Sequence, residues 1–201
     1  MHHERLLPTV GVVVVMSMCA CSEPVAVLVF ALVAMGCLHE LHGVLNSAVL
    51  RALSWVYVGG ALVYAATHVD RTMYYGLWVG LSDVLQYFAG KLGTALLEHP
   101  HHPFPLTSPK KTLAGYVGGM LVCVGMVGSS ALVCSLVLAG MLGDLLFSGV
   151  KRHAGVKHFA TTLGSGIGGL CDRFDSIFSM LWCMAAWTVC VGDEAAFPDL
   201  S

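Results

Sequence analysis

Four short polar stretches interrupt an otherwise apolar chain, and each combines residue types suited to handling phosphate or a metal ion. In the first, residues 143–152, Gly-Asp-Leu-Leu-Phe-Ser-Gly-Val-Lys-Arg leaves an apolar run and enters a basic loop that holds Lys157. On a continuing helix, Ser148, Lys151 and Arg152 follow Asp144 by four, seven and eight residues and share its face. An acid, a hydroxyl and two cations then look into one space. The two cations alone are equally the ordinary snorkelling residues of a membrane interface. Asp144 resists that account, because carboxylates near hydrocarbon are costly and usually face a polar cavity.

The second stretch is Asp172-Arg173-Phe174-Asp175, just before the last apolar run. Spacing of three lets both carboxylates point the same way, as two ligands of a hard cation such as Mg²⁺ would. Acidic capping of a helix N-terminus accounts for one of them equally well. The run Gly164-Ser165-Gly166-Ile167-Gly168-Gly169 lies between the basic loop and this pair and can bring backbone amides close to phosphate oxygens. In the third stretch, Ser108-Pro109-Lys110-Lys111-Thr112, Ser108 suits a helix N-cap and Pro109 the first helical position. That places two lysines against the helix dipole, a conflict that a bound anion resolves; retention of cations on one side of a membrane is the competing explanation. The fourth is Ser82-Asp83 with Gln86-Tyr87 and Gly90-Lys91. Asp83 is expected about two turns, roughly 10 Å, from the end of its helix, with Lys91 or the basic loops as counter-charges.

The elements that must position these residues are helices in a bilayer. With 57% of residues hydrophobic and 11% charged, the chain is unlike an ordinary soluble domain. Apolar runs of roughly the 17 to 25 residues that cross the hydrocarbon core predict seven helices. They fall at Leu6–Ser22, Pro24–Leu41, Ala52–Thr67, Met73–Gly90, Leu113–Gly128, Ser129–Phe147 and Ser176–Gly192. The fifth and sixth come from dividing one charge-free stretch at Gly128-Ser129-Ser130. Arg5 ahead of the run Leu6–Cys21 also fits a secretory signal, but another apolar segment begins at once, so a retained helix is expected. The expected organisation is a single all-α, polytopic membrane domain, with N-terminal membrane helices over 1–80 and the polar motifs over 81–201.

With the N-terminus in the cytoplasm, nine of the ten basic residues fall inside and only Arg71 outside. That asymmetry puts the polar segments 91–112 and 144–175 on the cytoplasmic face. Seven of the eight cysteines lie in apolar runs, where a thiol acts as a small hydrophobe, and only Cys171 sits in a polar segment. The histidine-rich segments His39-Glu40-Leu41-His42 and Glu98-His99-Pro100-His101-His102 lack metal-site geometry and read as structural or solvated.

Taken together these motifs resemble the phosphatidate cytidylyltransferase (CDP-diglyceride synthase) family. Ser148, Lys151-Arg152, Lys157 and Asp172-Arg173-Phe174-Asp175 match its C-terminal signature, Asp83, Tyr87, Gly90 and Lys91 match its upstream acidic motif, and Ser108 to Thr112 with Gly118-Gly119 match its Ser-Pro-Lys-Lys-Thr segment. The resemblance covers about Leu81 to Ser176. Three departures accompany it: His158 stands where the family has Asp, the glycine loop has one extra residue and lacks a histidine, and the region before Ser82 is expected to hold fewer helices than in longer members.

The resemblance implies transfer of CMP from CTP to phosphatidic acid, giving CDP-diacylglycerol and pyrophosphate, in a cytoplasm-facing pocket of the inner (cytoplasmic) membrane. It implies that Asp144, Asp172 and Asp175 hold Mg²⁺, and leaves open whether a monovalent cation accompanies it. Lys110, Lys111, Lys151, Arg152 and Lys157 would neutralise phosphate, with Ser108, Thr112, Ser148, Asp83 and Arg173 as further substrate contacts. CTP, phosphatidic acid and membrane lipids are the expected partners, nucleic acid is not, and a homodimer is what family members imply. Two other readings stand beside it: a transporter or channel with Asp83 and Asp144 along its pathway, and a family member that has lost catalysis.

Overall fold

The structure, a computed structural model, describes residues 22–96, 101–109, 111–127, 131–159, 169–192 and 197. Those residues form six helices and no strand: α1 (Glu23–Val44), α2 (Ala48–Thr67), α3 (Val69–Leu96), α4 (Leu113–Val127), α5 (Ala131–His153) and α6 (Cys171–Val191). The expected segment Leu6–Ser22 lies outside the described residues except for Ser22. Helices α1, α2, α5 and α6 are each long and apolar enough to cross a membrane. Helix α4, at 15 residues, spans only about 22 Å at 1.5 Å per residue, and the 28 residues of α3 include Asp70, Arg71, Asp83 and Lys91.

The burial pattern is that of a bundle in lipid. On α5 the faces separate at helical spacing: Leu132, Leu136, Gly140, Gly143 and Phe147 are buried, while Leu138, Leu142 and Leu146 are exposed. Leu28, Leu32 and Met35 form a similar exposed apolar stripe on α1. In water such stripes would be an aggregation liability; against acyl chains they are the solvated face.

Helix α6 is the hub, packed against α1, α2, α3 and α5, whereas α4 leans on α3 and α5. Small residues permit the closest approaches. A Cβ on Gly143 of α5 would stand 2.6 Å from the Asp175 carbonyl oxygen of α6, and one on Gly119 of α4 would stand 2.8 Å from the Gln86 backbone nitrogen of α3. Without a hydrophobic drive between helices in lipid, such close packing is what holds them together. It also brings Asp144, beside Gly143, up to the acidic start of α6.

Three of the helix boundaries that differ from expectation bear on the polar residues. Helix α5 runs past Phe147 to His153, so Asp144, Ser148, Lys151 and Arg152 do share one helix, and the cations of its last turn complement its dipole. Helix α6 begins at Cys171 rather than Ser176, placing Asp172 and Asp175 within the helix. Helix α3 continues past Gly90 to Leu96, so Asp83 lies about 20 Å from that end rather than two turns.

The described cysteines are unpaired thiols, and Cys37, Cys123 and Cys171 are fully buried. Arg71 lies over the Phe197 ring, 4.7 Å from its centroid, at the end of the bundle away from Lys111, Lys151 and Arg152.

Candidate active site

A cavity of about 460 Å³ opens between α3, α4, α5 and α6, within the size range of small-molecule sites. Four carboxylates face it, from Asp83, Asp144, Asp172 and Asp175, together with Lys91, Lys111, Thr112 and Ser176. The far wall, formed by α3 and the start of α4, presents Gln86, Tyr87, Gly90, Thr94, Gly115 and Tyr116.

The acids are held in two ways. Asp144 pairs with Lys111, and Asp172 Oδ1 accepts a hydrogen bond from Lys151 Nζ at 2.5 Å. Asp172 Oδ2 accepts from the Gly169 N–H at 3.1 Å, and His158 Nδ1 lies 3.5 Å away. The other two acids meet at Ser176: its Oγ donates to Asp83 Oδ2 at 2.8 Å, and its N–H donates to Asp175 Oδ1 at 2.8 Å. Gln86 Nε2 donates to Asp83 Oδ1 at 3.1 Å. Burial pulls the Lys111 ammonium below the ordinary lysine range, while the Asp83 and Asp175 carboxylates pull it back up.

The Ser108–Thr112 segment corrects a sequence expectation. Ser108 is not the N-cap of α4. Thr112 is: its Oγ1 accepts the Gly115 N–H at 3.1 Å, and the helix starts at Leu113. Lys111 therefore precedes the cap instead of sitting in the first turn, so its side chain reaches Asp144 with no conflict with the helix dipole. Ser108 closes a turn by accepting the Lys111 N–H at its carbonyl, 3.2 Å away. Lys110 lies outside the described residues, as does the glycine run up to Gly168.

Of the remaining site residues, Ser148 is buried on α5 and does not line the cavity. Arg152 is exposed, and its Nε donates to the Thr107 carbonyl at 3.4 Å, tying the end of α5 to the loop before α4. Lys157 and Arg173 are exposed and lie outside the cavity wall. Lys151, just behind the wall, reaches it through Asp172. Of the expected counter-charges, Lys91 or the basic loops, it is Lys111 of the loop before α4 that acts on Asp83, while Lys91 lines the same cavity.

Two polar residues tie Asp83 into the site, one named in the sequence motif and one not. Gln86 follows Asp83 by three on one helix face, which the spacing made readable. Ser176 had no such signal, because its partner Asp83 lies on another helix.

Among the described residues no three acidic, histidine or cysteine side chains are close enough to ligate one ion. The donor set is nonetheless four carboxylates and a serine hydroxyl on one cavity, hard oxygen ligands that suit Mg²⁺ rather than a thiophilic metal. Two of those carboxylates are engaged by lysine ammonium groups.

Residues 6–191 match the model of a family described as the cytidylyltransferase family. The chain is similar to a phosphatidate cytidylyltransferase of Staphylococcus haemolyticus (strain JCSC1435), 35% identical over 147 residues, 64% of this chain and 54% of that protein. It is also similar to one of Aquifex aeolicus (strain VF5), 32% identical over 149 residues, 66% and 54% of the two chains. A Staphylococcus aureus (strain COL) relative of the same name is 34% identical over 148 residues, again 64% and 54%. The chain spans about half the length of the curated relatives it matches.

Proposed function

Because the chain belongs to the cytidylyltransferase family, we propose that it transfers CMP from CTP to phosphatidic acid, forming CDP-diacylglycerol and releasing pyrophosphate. The observation that carries this reading is the pairing of Asp144 with Lys111 and of Asp172 with Lys151 on one cavity shared with Asp83 and Asp175. Acids and cations in alternation are what a triphosphate with its counter-ion needs, since either charge alone would repel one of the two.

A phosphate oxygen of the lipid forms the new bond to the α-phosphorus of CTP, and the bond from that phosphorus to the bridging oxygen of the β-phosphate breaks. The nucleophile is already an anion, so no general base is required. Catalysis is then positioning and charge stabilisation. Lys111 and Lys151, freed from their carboxylates, neutralise phosphate oxygens. Lys91 and Thr112 stand on the same cavity to orient the nucleotide, and Ser176 holds Asp83 and Asp175 together.

Asp144, Asp172 and Asp175 would hold Mg²⁺, which when bound supplies charge neutralisation on the phosphates. Arg152 and Lys157 serve on this reading as the basic approach to the cavity, steering anions toward it. We place the cavity on the cytoplasmic side of the inner membrane, where CTP is available, with the lipid tails left in the bilayer.

A transport pathway would spread its acids through the bilayer depth, whereas these four share one cavity. The test is CTP-dependent formation of labelled CDP-diacylglycerol by the purified protein in detergent micelles with phosphatidic acid. Product is expected with Mg²⁺ and none after chelation. No product in the presence of both substrates and Mg²⁺ would overturn the reading.

A further inference from the structure

Glu40, part of the histidine-rich segment His39–His42, does not line the cavity, yet it is among the most enclosed polar side chains of the described residues, 2% exposed near the end of α1. Its Oε1 accepts the Leu170 N–H at 2.8 Å and its Oε2 the Cys171 N–H at 3.0 Å. The backbone presses so close that a Cβ on Gly169 would stand 2.7 Å from Glu40 Oε1. Leu170, the N-cap of α6, supplies no side-chain cap of its own. The first amides of α6, which an isolated helix leaves unsatisfied, are therefore taken by a carboxylate 130 residues earlier in the chain.

The same turn carries Asp172. Its Oδ2 is held by the Gly169 N–H and its Oδ1 by Lys151 of α5. Cys171 adds a second tie to α1, its Sγ lying 3.3 Å from the Cys37 carbonyl. A serine or aspartate at position 170 would cap α6 locally without burying a charge. A carboxylate reaching across from α1 does something a local cap does not: it fixes where the turn bearing Asp172 stands relative to the rest of the bundle.

We propose that Glu40 is a positioning residue, whose bidentate grip on the Leu170 and Cys171 amides sets Asp172 against Lys151 at the cavity wall. Its kinetic consequence rests on the cavity being the site of cytidylyl transfer; its structural consequence does not.

The test uses the full chain in detergent, as wild type, E40Q, E40D, G169A and E40D/G169A. Glutamine keeps the shape but offers one acceptor and one donor, so one of the two amides faces a donor. In E40Q, hydrogen-exchange protection at residues 170–171 is expected to drop by about tenfold, with that of α2 and α5 retained. Turnover per folded molecule is expected to fall by about 10- to 100-fold, as when a support behind a ligating residue is lost, with KM for CTP within about threefold.

A purely structural role would reduce the folded fraction and leave turnover per folded molecule unchanged. The Gly169→Ala methyl collides with the carboxylate and should reproduce the E40Q phenotype. Retracting that carboxylate by one methylene in E40D/G169A makes room for it, so the double variant should exceed G169A in both exchange protection and turnover. E40D reads the same two quantities should E40Q yield no monodisperse protein. Full protection at 170–171 in E40Q, wild-type turnover in it, or multiplicative effects of E40D and G169A would overturn the assignment. A wild-type protein with no cytidylyl transfer would defeat the proposed function alone, leaving the exchange measurements to decide on Glu40.

Discussion

Asp172→Asn is the perturbation with the sharpest consequence. Lys151 Nζ and Asp172 Oδ1 are 2.5 Å apart, and both side chains are 11% exposed. Neutralising the acid leaves the ammonium beside the Phe159 ring, 5.5 Å from its centroid, without its anionic partner. Breaking a fully enclosed ion pair costs about 3–5 kcal/mol, and a charge-assisted hydrogen bond contributes about 1.5–3 kcal/mol. The cavity beside this pair opens to solvent, and Asn keeps a carbonyl oxygen for the Gly169 N–H, so a loss of about 2 kcal/mol in stability is expected, too little to abolish the fold.

The effect on rate is larger, because the lost charge acts where phosphate charge is redistributed. Turnover should fall about 10²- to 10³-fold. The assay is incorporation of label from CTP into CDP-diacylglycerol by purified variant and wild type, with thermal unfolding in the same detergent. Adding Lys151→Met to D172N removes the stranded cation and should recover most of the lost stability but none of the rate. Turnover of D172N within threefold of wild type, or a double variant less stable than D172N, would refute the reasoning.

Two further outcomes follow from the geometry. Between the lowered Lys111 value and the ordinary lysine range the folded chain binds fewer protons than the unfolded one, so stability rises with pH there while the attraction of Lys111 for phosphate fades. Activity should accordingly decline on the alkaline side earlier than an ordinary lysine would dictate, and K111R, which stays charged, should move that limb of the kcat/KM profile to higher pH; superposable profiles would dismiss the role of Lys111. Gly143→Ala forces a methyl to 2.6 Å from the Asp175 carbonyl and should cost about 1–3 kcal/mol, read as a lower melting temperature together with reduced activity, since the same contact aligns Asp144 with α6.

The apolar, membrane-like character, the all-helical class, the division of the charge-free stretch into α4 and α5, and the four aspartates that share the cavity were legible in the sequence. Each rests on local signals: runs of apolar residues, glycine and proline punctuation, and costly charges in an apolar setting. The ends of helices were less legible. Residues 171–175 read as a polar stretch ahead of a helix starting at Ser176, yet they form its first turn, whose leading amides are taken by Glu40 on α1. Ser108-Pro109 read as a helix start because local capping rules favour it, yet the chain makes one more turn and Thr112 takes that role.

Partner choice was decided by tertiary structure alone. That Lys111 meets Asp144, that Lys151 meets Asp172, and that Ser176 rather than a lysine holds Asp83 depends on glycine-mediated approaches of α4 to α3 and of α5 to α6. Residue type and spacing determine which chemistry a chain can carry. Only packing, by fixing the distances on which charge interactions depend, determines which of those groups act on one another.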